Sequence, residues 1–535
     1  MDRNGSKAII AVIIVCLLLA SGLALSTNMS GSEDDNNNTF LGNNSNTGTV
    51  DDGETEPQDD TGSTDGQDTS TPSDGQDEDG SQEGPGTGSD DTSIGDVTNG
   101  TVTEGDDQEG NATGEEEEPE VIITPESNPT ERTWTTLFYV AYDSDIGEWG
   151  SWDCDLHYLE QVGAPEGGHL VALVDQEIDG DCEIVEIHKG GSIRYPVSKI
   201  NPGWGNELDT GDPDVLADFI IWGMQEYPAT CYDLHLMDHG GAWQGICGDF
   251  SSETMLWAWD INYAFEKATI TVGRKIDIVS MDACLMGSFE FGYEISEYAD
   301  YMTATETFGT GAQTDGDEYY PGNWLYDVIW GGLVADPHMK PCEFAMHHMN
   351  GFNPMGPFLS PSWLIVHPQY ADVFVVANLT NFVGIKDALD VMAQELLDAV
   401  TSGNSELAKR QMILGVIGHT EEPPELNTES FSGSMDFVGL TVFTLYDVGD
   451  LTSRLIKNGS LLCSPETAAY VNELYSEAIL ACVHGDNYHM GEHPDATGLT
   501  LHLPYRDRDN YNEYKGTLFA KDTMWDEFLD ALCEE

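Results

Sequence analysis

The sequence has 535 residues and a formal net charge of −78 at neutral pH. A chain this acidic repels the phosphate backbone of nucleic acids, which excludes DNA and RNA as partners. Its composition also changes sharply along its length, so the sequence predicts a disordered part and a folded part rather than one uniform domain.

The N-terminal segment, residues 1–26, has the composition of an export signal. Arg3 and Lys7 precede an apolar run over residues 8–25. Such a run is typical of a signal peptide and is also nearly long enough to span a membrane. We therefore expect the rest of the chain to be extracellular or held at the cell surface, with membrane contact only through this segment. The sequence leaves open whether the segment is cleaved or retained as an anchor.

Residues 27–131 are rich in Asp, Glu, Gly, Ser and Thr and contain no Lys or Arg. A stretch with so few apolar side chains cannot offset the entropy cost of folding, so we expect a disordered acidic stalk or linker. Arg132 stands at its border as the first basic residue after Lys7. Cleavage after Arg132 would release the folded part, although Arg132 is equally well explained as the first surface residue of the domain.

Strand-like and helix-like segments alternate from residue 132 to about residue 345. Apolar runs of strand length lie at residues 135–142, 169–174, 233–237, 275–280 and 301–305, and helical stretches separate them near residues 152–162, 213–226, 259–268 and 287–298. This alternation predicts an α/β fold with a mainly parallel sheet flanked by helices on both faces. In such sheets the functional site lies at the carboxyl ends of the strands.

The pattern changes in residues 346–535. Helical stretches occur near residues 383–407, 464–483 and 519–532, and short strands near residues 439–444 and 498–503. We expect this segment to form a C-terminal α+β subdomain that packs on the catalytic core, and we take residues 132–345 as that core.

Cysteine usage allows disulfide bonds in an exported protein. Apart from Cys16 in the apolar run and Cys284, eight cysteines could form up to four bridges, whose pairing the sequence does not determine: Cys154, Cys182, Cys231, Cys247, Cys342, Cys463, Cys482 and Cys533.

A histidine and a cysteine come directly after two successive predicted strands. His239 lies shortly after residues 233–237, and Cys284 shortly after residues 275–280. An imidazole can stabilise a thiolate, and the N–H groups of Gly240 and Cys284 could stabilise an oxyanion. Taken alone, a cysteine after a strand is more often a core residue or half of a disulfide, and a His-Gly pair is common in turns. Together, on neighbouring strand ends, they predict nucleophilic catalysis.

The motifs around this pair resemble those of the clostripain family of cysteine peptidases, which have a caspase-like fold. The resemblance rests on four segments: residues 238–243 (DHGGAW), residues 280–287 (SMDACLMG), the first strand and acidic loop Trp134–Asp145, and the C-terminal runs at residues 498–505 and 519–528. It covers most of residues 134–532 and leaves the acidic stalk outside.

This resemblance implies a role for each site residue. His239 would be the general base or imidazolium partner and Cys284 the nucleophile, with Gly240 and Cys284 forming the oxyanion hole. Family members cleave after Arg or Lys, so Asp282 would bind the substrate cation in the specificity pocket; its alternative is a capping or turn aspartate. Where relatives carry a Pro-Gly-Asp-Gly-Trp-like loop, this chain differs, and Asp315 and Asp317 are both candidates for a second pocket acid.

The sequence patterns that could indicate a metal or calcium site are weaker. Cys482, His484, His489 and His493 fit no common zinc spacing, and a solvated loop explains them better. No cofactor is expected to be required, and calcium, on which some relatives depend, is kept open as a ligand of acidic loops. We expect an exported cysteine endopeptidase whose partners are peptides or proteins with Arg or Lys at the cleavage site. The alternative is an inactive surface protein that keeps the fold and only binds.

Overall fold

The computed structural model describes residues 132–534, apart from residues 179, 308, 310, 354–372, 418–443, 485–495 and 505–510. The predicted export signal, acidic stalk and residues His489 and His493 therefore lie outside the described residues. Within the described part, no helix combines the length and apolar character needed to cross a membrane.

The described residues build a nine-stranded central sheet. Its strands are β1 (Trp134–Ala141), β2 (His169–Asp175), β3 (Glu183–His188), β4 (Gly191–Pro196), β5 (Cys231–Met237), β8 (Ile276–Asp282), β9 (Ala299–Thr305), β12 (Val373–Asn378) and β14 (Ile479–His484). Their order across the sheet is β14-β12-β9-β8-β5-β1-β2-β3-β4. The five central strands, β9, β8, β5, β1 and β2, run parallel, and the strands outside them are antiparallel. The predicted mainly parallel α/β sheet is confirmed.

Three two-stranded pairs lie outside this sheet. They join β6 (Gly245–Asp249) to β7 (Thr254–Trp257), β10 (Gln313–Asp315) to β11 (Glu318–Tyr320), and β13 (Leu445–Asp447) to β15 (Thr500–His502).

Helices cover both faces of the sheet. They are α1 (Asp145–Glu148), α2 (Ser151–Val162), α3 (Pro213–Glu226), α4 (Ala258–Val272), α5 (Phe289–Ile295), α6 (Tyr326–Ala335), α7 (Pro341–His347), α8 (Phe382–Thr401), α9 (Ser405–Arg410), α10 (Val448–Asn458), α11 (Pro465–Ala478), α12 (Tyr511–Tyr514), α13 (Leu518–Asp522) and α14 (Trp525–Cys533).

The central strands are buried on both faces because side chains alternate along a strand. All eight residues of β1 are buried: Leu137 and Tyr139 face one apolar cluster, and Phe138 and Val140 face the other. Helices α3, α4, α8 and α14 contribute to the first cluster, and α2, α6 and α7 to the second. Runs that are apolar without alternation, such as TTLFYVAY, are therefore the signature of these parallel strands.

The C-terminal part of the chain supplies two strands of the central sheet, in addition to helices that pack on it. β12 pairs antiparallel with β9, and β14 pairs antiparallel with β12. The predicted helix near residues 464–483 therefore ends early, because Ile479–His484 form the edge strand β14. Pairing with β12 satisfies backbone groups of a strand that would otherwise be an exposed edge, and this outweighs the local helical pattern. Of the strand predicted near residues 439–444, only Thr444 is among the described residues.

None of the nine described cysteines forms a disulfide in the structure. The sequence allowed up to four disulfides among eight of these cysteines, and the structure contains none of them. Five of the eight cysteines outside the candidate site are buried. Cys182, for example, donates a hydrogen bond from its thiol to Asp175 Oδ1 at 2.8 Å. Buried thiols of this kind behave as small apolar side chains.

Arg132 is built into the folded domain at the start of β1. Its side chain is buried and donates a hydrogen bond to the carbonyl of His338, and the carbonyl of Thr133 accepts from the N–H of Cys231 at 3.0 Å. This bond lies at the amino end of the parallel strands, opposite the end that carries His239 and Cys284. The placement disfavours self-release after Arg132 in the folded protein, since cleavage would require this end of the sheet to open.

Candidate active site

The structure brings His239 and Cys284 to the same edge of the sheet. The parallel register pairs Met237 at the end of β5 with Asp282 at the end of β8, and the N–H of Asp238 donates to the carbonyl of Asp282 at 3.3 Å. His239 and Cys284 each lie two residues beyond this last pair of the register. A side chain on Gly240 would place its Cβ only 2.3 Å from the carbonyl oxygen of Cys284, which confirms that the two strand ends stay together.

A carboxylate orients the histidine. Asp145, the first residue of α1, places Oδ1 2.7 Å from His239 Nε2, and both side chains are largely buried. Ser144 caps this helix by accepting the N–H of Ile146, which fixes the position of Asp145. Because Asp145 occupies Nε2, Nδ1 is the ring nitrogen that remains for the thiol. The motifs placed Asp145 in an acidic loop, but they did not pair it with His239.

The surroundings of His239 favour its protonated form. Burial alone would lower the pKa of the imidazole, but the hydrogen bond to Asp145 and the negative charges of Asp238 and Asp145 outweigh it and raise the pKa. A raised pKa makes the ring a stronger proton acceptor. A proton that the ring receives from the thiol can stabilise the thiolate and then be transferred to a leaving amine.

Cys284 lies in a strained turn that exposes its sulfur. The next residue, Leu285, has a φ of 65°, a left-handed conformation that costs a non-glycine residue about 1–3 kcal/mol. Its N–H donates to the carbonyl of Thr307 at 2.8 Å, which holds the turn in place. The N–H of Gly309 donates to Cys284 Sγ at 3.3 Å. The thiol in turn donates to the carbonyl of Gly309 at 3.6 Å, so Gly309 contacts the sulfur through both of its backbone polar groups.

Gly240 leaves a backbone donor available beside the sulfur. The isolated bridge between Gly240 and Ile246 uses the N–H groups of Gly241 and Cys247, and the N–H of Gly240 has no acceptor among the described residues. No other residue type fits here, because a Cβ would collide with the backbone of Cys284. The local geometry therefore suits an oxyanion-binding donor.

Two carboxylates form a pocket next to this site. Asp282 Oδ2 accepts from the hydroxyl of Tyr326 at 2.8 Å, and Asp155 Oδ2 accepts from the hydroxyl of Tyr142 at 3.3 Å. Burial raises the pKa of Asp282 to about 7, and burial together with the charge of Asp282 raises the pKa of Asp155. Neither carboxylate forms a salt bridge within the described part of the chain. A pair of uncompensated buried acids is an environment that a cation stabilises.

Asp155 was not predicted from the sequence. It lies on α2 between Cys154 and Leu156 on a buried face, where an acid is rarely found without a partner. A buried acid on an otherwise apolar helix face was therefore the available signal.

The structure does not bring Asp315 and Asp317 into the pocket. Both are exposed on the tip of the β10–β11 hairpin, which packs against α2. Residues 321–324 (PGNW) come after this hairpin and lead into α6, which carries Tyr326. The hairpin thus separates the predicted acids from the loop that lies near Tyr326.

Two groups of described residues have the composition of a metal site. In the group of Asp175, Cys182 and Glu207, both oxygens of Asp175 already accept hydrogen bonds, from Cys182 at 2.8 Å and from Thr210 at 3.3 Å. Each carboxylate oxygen of Asp175 therefore already has a hydrogen-bond donor and does not require an ion. The second group, Asp233, His235 and His348, is fully buried and includes side-chain atoms without a hydrogen-bond partner.

Asp145→Asn should lower activity and change its pH dependence. Removing the charge that helps raise the pKa of His239 leaves burial to lower that pKa, so the alkaline limb of the kcat/KM profile should move to lower pH. The rate should fall by about 10²–10⁴-fold, the contribution of a positioned acid–base group. Asp153→Asn, at an exposed position on α2, is the matched control and should leave the rate and the alkaline limb of the pH profile unchanged. An alkaline limb that stays in place in Asp145→Asn would show that Asp145 does not set the protonation of His239.

Comparison with known proteins finds similarity to one protein family. The model of the clostripain family matches residues 155–319. Clostripain of Hathewaya histolytica is 33% identical over 202 residues, a match that covers 32% of this chain and 38% of clostripain itself. The match thus spans less than half the length of that relative. These findings confirm the similarity to clostripain-family cysteine peptidases that the motifs predicted.

Two solved structures from the same class of enzyme are more distant. A secreted C11 cysteine protease from Bacteroides thetaiotaomicron, in complex with an irreversible peptide inhibitor, is 15% identical, with a TM-score of 0.48 over 75% of this chain and 99% of that one. An inactive zymogen C11 protease from Parabacteroides distasonis is 17% identical, with a TM-score of 0.47 and the same coverage.

Proposed function

We propose, from the similarity of residues 155–319 to the clostripain family, that this chain is an exported cysteine endopeptidase that cleaves after basic residues. The proposal is supported by the parallel pairing of β5 and β8, because His239 and Cys284 each come two residues after the end of one of these neighbouring strands. A carboxylate behind the histidine and two buried acids beside the sulfur complete the arrangement.

The reaction uses groups of this chain alone. The Cys284 thiol gives its proton to His239 Nδ1, and the thiolate attacks the carbonyl carbon of the scissile bond. The N–H groups of Gly240 and Cys284 stabilise the oxyanion that forms. His239 then protonates the leaving amine as the C–N bond breaks, which leaves a thioester on Cys284. Water, deprotonated by His239, hydrolyses this thioester and regenerates the thiol. We therefore propose that no cofactor is required for catalysis.

The acidic pocket supports the preference for basic residues. An Arg or Lys side chain between Asp282 and Asp155 would pair with carboxylates that are otherwise uncompensated. Two carboxylates can accept more of the donors of the planar, five-donor guanidinium than one carboxylate can, so Arg should be preferred over Lys.

A panel of fluorogenic peptides that differ only in the residue before the scissile bond tests this proposal. Under reducing conditions we expect cleavage after Arg, slower cleavage after Lys, and little after Gln or Leu. Cleavage that does not distinguish Arg from Gln would exclude a basic specificity while leaving the peptidase intact. Binding of Arg peptides without any cleavage would instead favour an inactive surface protein.

Residues 1–26 support export, because a basic start and an apolar run are the features that secretion machinery recognises. We propose that the folded domain acts outside the cell, as the distant relative from Bacteroides thetaiotaomicron is secreted. Whether the segment is removed is decided by mass measurement of the protein recovered from its host.

A further inference from the structure

A polar cluster lies inside the apolar core beneath the candidate pocket. Asp233 and His235 are alternate residues of β5, Ser280 faces them from β8, and His348 begins the short helix directly after α7. All four side chains are fully buried. One ligand atom from each of Asp233, His235 and His348 lies within 4.8 Å of the others. Apolar side chains surround the cluster, among them Phe138, Trp324 and Trp330.

The hydrogen bonds around His348 determine which of its nitrogens carries the proton. His348 Nδ1 lies 2.8 Å from the carbonyl oxygen of Phe344, and a carbonyl can only accept. Nδ1 is therefore the protonated nitrogen. With that proton on Nδ1, Nε2 is the nitrogen whose lone pair is available to the cluster.

The hydrogen bonds of His235 likewise determine which of its ring nitrogens carries the proton. The hydroxyl of Tyr326 donates its single proton to Asp282, so its oxygen accepts from His235 Nε2 at 3.2 Å. His235 Nδ1 is then the unprotonated nitrogen, and it has no hydrogen-bond partner although it is buried.

Asp233 supplies the third acceptor. Its Oδ1 accepts from the hydroxyl of Ser280 at 2.8 Å, the hydroxyl of Thr136 lies close enough to act on the same carboxylate, and Oδ2 makes no hydrogen bond of normal geometry. The single Ser280 proton is used in its contact with Asp233, so the 3.4 Å approach of Ser280 Oγ to His348 Nε2 does not satisfy that nitrogen. Asp233 Oδ2 and His235 Nδ1 are thus buried acceptors without a hydrogen bond of normal geometry, and His348 Nε2 has only the long contact with Ser280. A buried polar atom without a partner costs about 1–3 kcal/mol, so this arrangement calls for a bound positive species.

We propose that Asp233, His235 and His348 bind one divalent transition-metal ion, for which zinc is the expected occupant. Two imidazoles and one carboxylate are a common zinc ligand set, with water left for the fourth position. The second ligand atom of each side chain is already held, by Phe344, Tyr326 and Ser280, as is usual around protein-bound metals. The ion would lie in the core and would stabilise the fold rather than react with substrate.

The site is linked to the candidate pocket by two hydrogen bonds. His235 donates to Tyr326, and Tyr326 donates to Asp282. A metal on Nδ1 would strengthen His235 as a donor and fix the hydroxyl that orients Asp282. This link rests on the proposed function, whereas zinc binding itself does not.

The test uses the full chain with Cys284→Ala, because zinc also binds Cys–His pairs and the catalytic thiol would compete. The protein is treated with a chelator, reloaded with ZnCl₂ and passed through gel filtration, and its zinc content and thermal unfolding temperature are measured. We expect about one zinc per chain and an unfolding temperature that rises with zinc, since an ion that binds only the folded state stabilises it. A protein that retains no zinc and shows no shift overturns the proposal.

Substitutions of single residues show which side chains bind the zinc ion. In the same background, Asp233→Asn should abolish zinc retention and Ser280→Ala should weaken zinc affinity by about 10–100-fold, as expected for a residue behind a ligand. Cys182→Ser is the matched control, because it alters the other group of metal-site composition, and it should retain zinc. Zinc that persists in Asp233→Asn, or that is lost in Cys182→Ser, contradicts the assignment.

Cobalt substitution covers the case in which Asp233→Asn does not fold. Co²⁺ bound by two imidazoles and a carboxylate should show visible absorption without a sulfur-to-cobalt band in the near ultraviolet. A sulfur-to-cobalt band would place the ion on a cysteine and would overturn the proposal.

Discussion

Cys284→Ala should abolish peptide cleavage, with a loss of kcat/KM on the order of 10⁴-fold or more, because removing the nucleophile removes the whole covalent pathway. Alanine fits the half-buried position and leaves the strained Leu285 turn and its contact with Thr307 in place. Binding of an Arg peptide should persist in the variant, since the pocket acids are unchanged. Rates with a fluorogenic Arg peptide and affinity from peptide titration measure the two effects separately.

Cys342→Ala is the matched control for this experiment. Cys342 is also half-buried and outside any disulfide, but it lies on α7 away from the strand ends that carry His239 and Cys284. We expect its activity to equal that of the native chain. Full activity in Cys284→Ala, or its loss in Cys342→Ala, would show that the reacting thiol has been misidentified.

Asp282→Asn should reduce kcat/KM for Arg peptides by ~30-fold to several-thousand-fold, the effect of removing one charge from a buried ion pair worth about 2–5 kcal/mol. Asparagine keeps the shape of the side chain and can still accept from Tyr326, so folding should be preserved. Cleavage of Gln peptides should change little. The selectivity for Arg over Gln, measured with the same peptide panel, is therefore the quantity that falls.

The pH dependence gives a second measure of the same residue. Burial raises the pKa of Asp282 to about 7, so its carboxylate becomes neutral as the pH falls below that value. kcat/KM reports on the free enzyme, and for Arg peptides it should decline as the pH falls through about 7. Asp282→Asn should lack this decline.

Asp155→Asn should resemble Asp282→Asn, whereas Asp315→Asn should not. Asp155 and Asp282 influence each other inside the pocket, and Asp315 is exposed on the β10–β11 hairpin. Undiminished Arg selectivity in both pocket variants, together with loss in Asp315→Asn, would restore the second pocket acid that the sequence suggested.

The prediction of the His239–Cys284 pair depends on strand order and register alone. Each residue lies just past an apolar run, and neighbouring parallel strands bring the residues after their carboxyl ends to one edge of the sheet. Asp145 and Asp155 could not be assigned in this way. They act from α1 and α2, and the direction of a side chain toward another element depends on tertiary packing that no local pattern encodes.

The sequence was less informative wherever an insertion or an edge strand intervenes. Asp315 and Asp317 were chosen by their distance along the chain from β9, but the β10–β11 hairpin takes them to the surface. Residues 479–484 continue a helical pattern and nevertheless form β14, because an available neighbour, β12, satisfies their backbone. In both cases a long-range contact outweighs the local signal.

Active-site labelling and peptide mapping together test the central claim most directly. An irreversible peptide inhibitor that carries Arg next to an electrophilic ketone reacts only with a thiolate held beside an occupied specificity pocket. We predict a single adduct on Cys284 in the native chain, greatly slowed labelling in His239→Ala, and no labelling of the other described cysteines. An adduct on another cysteine, or labelling that is unaffected by His239→Ala, would contradict the pairing of these two residues.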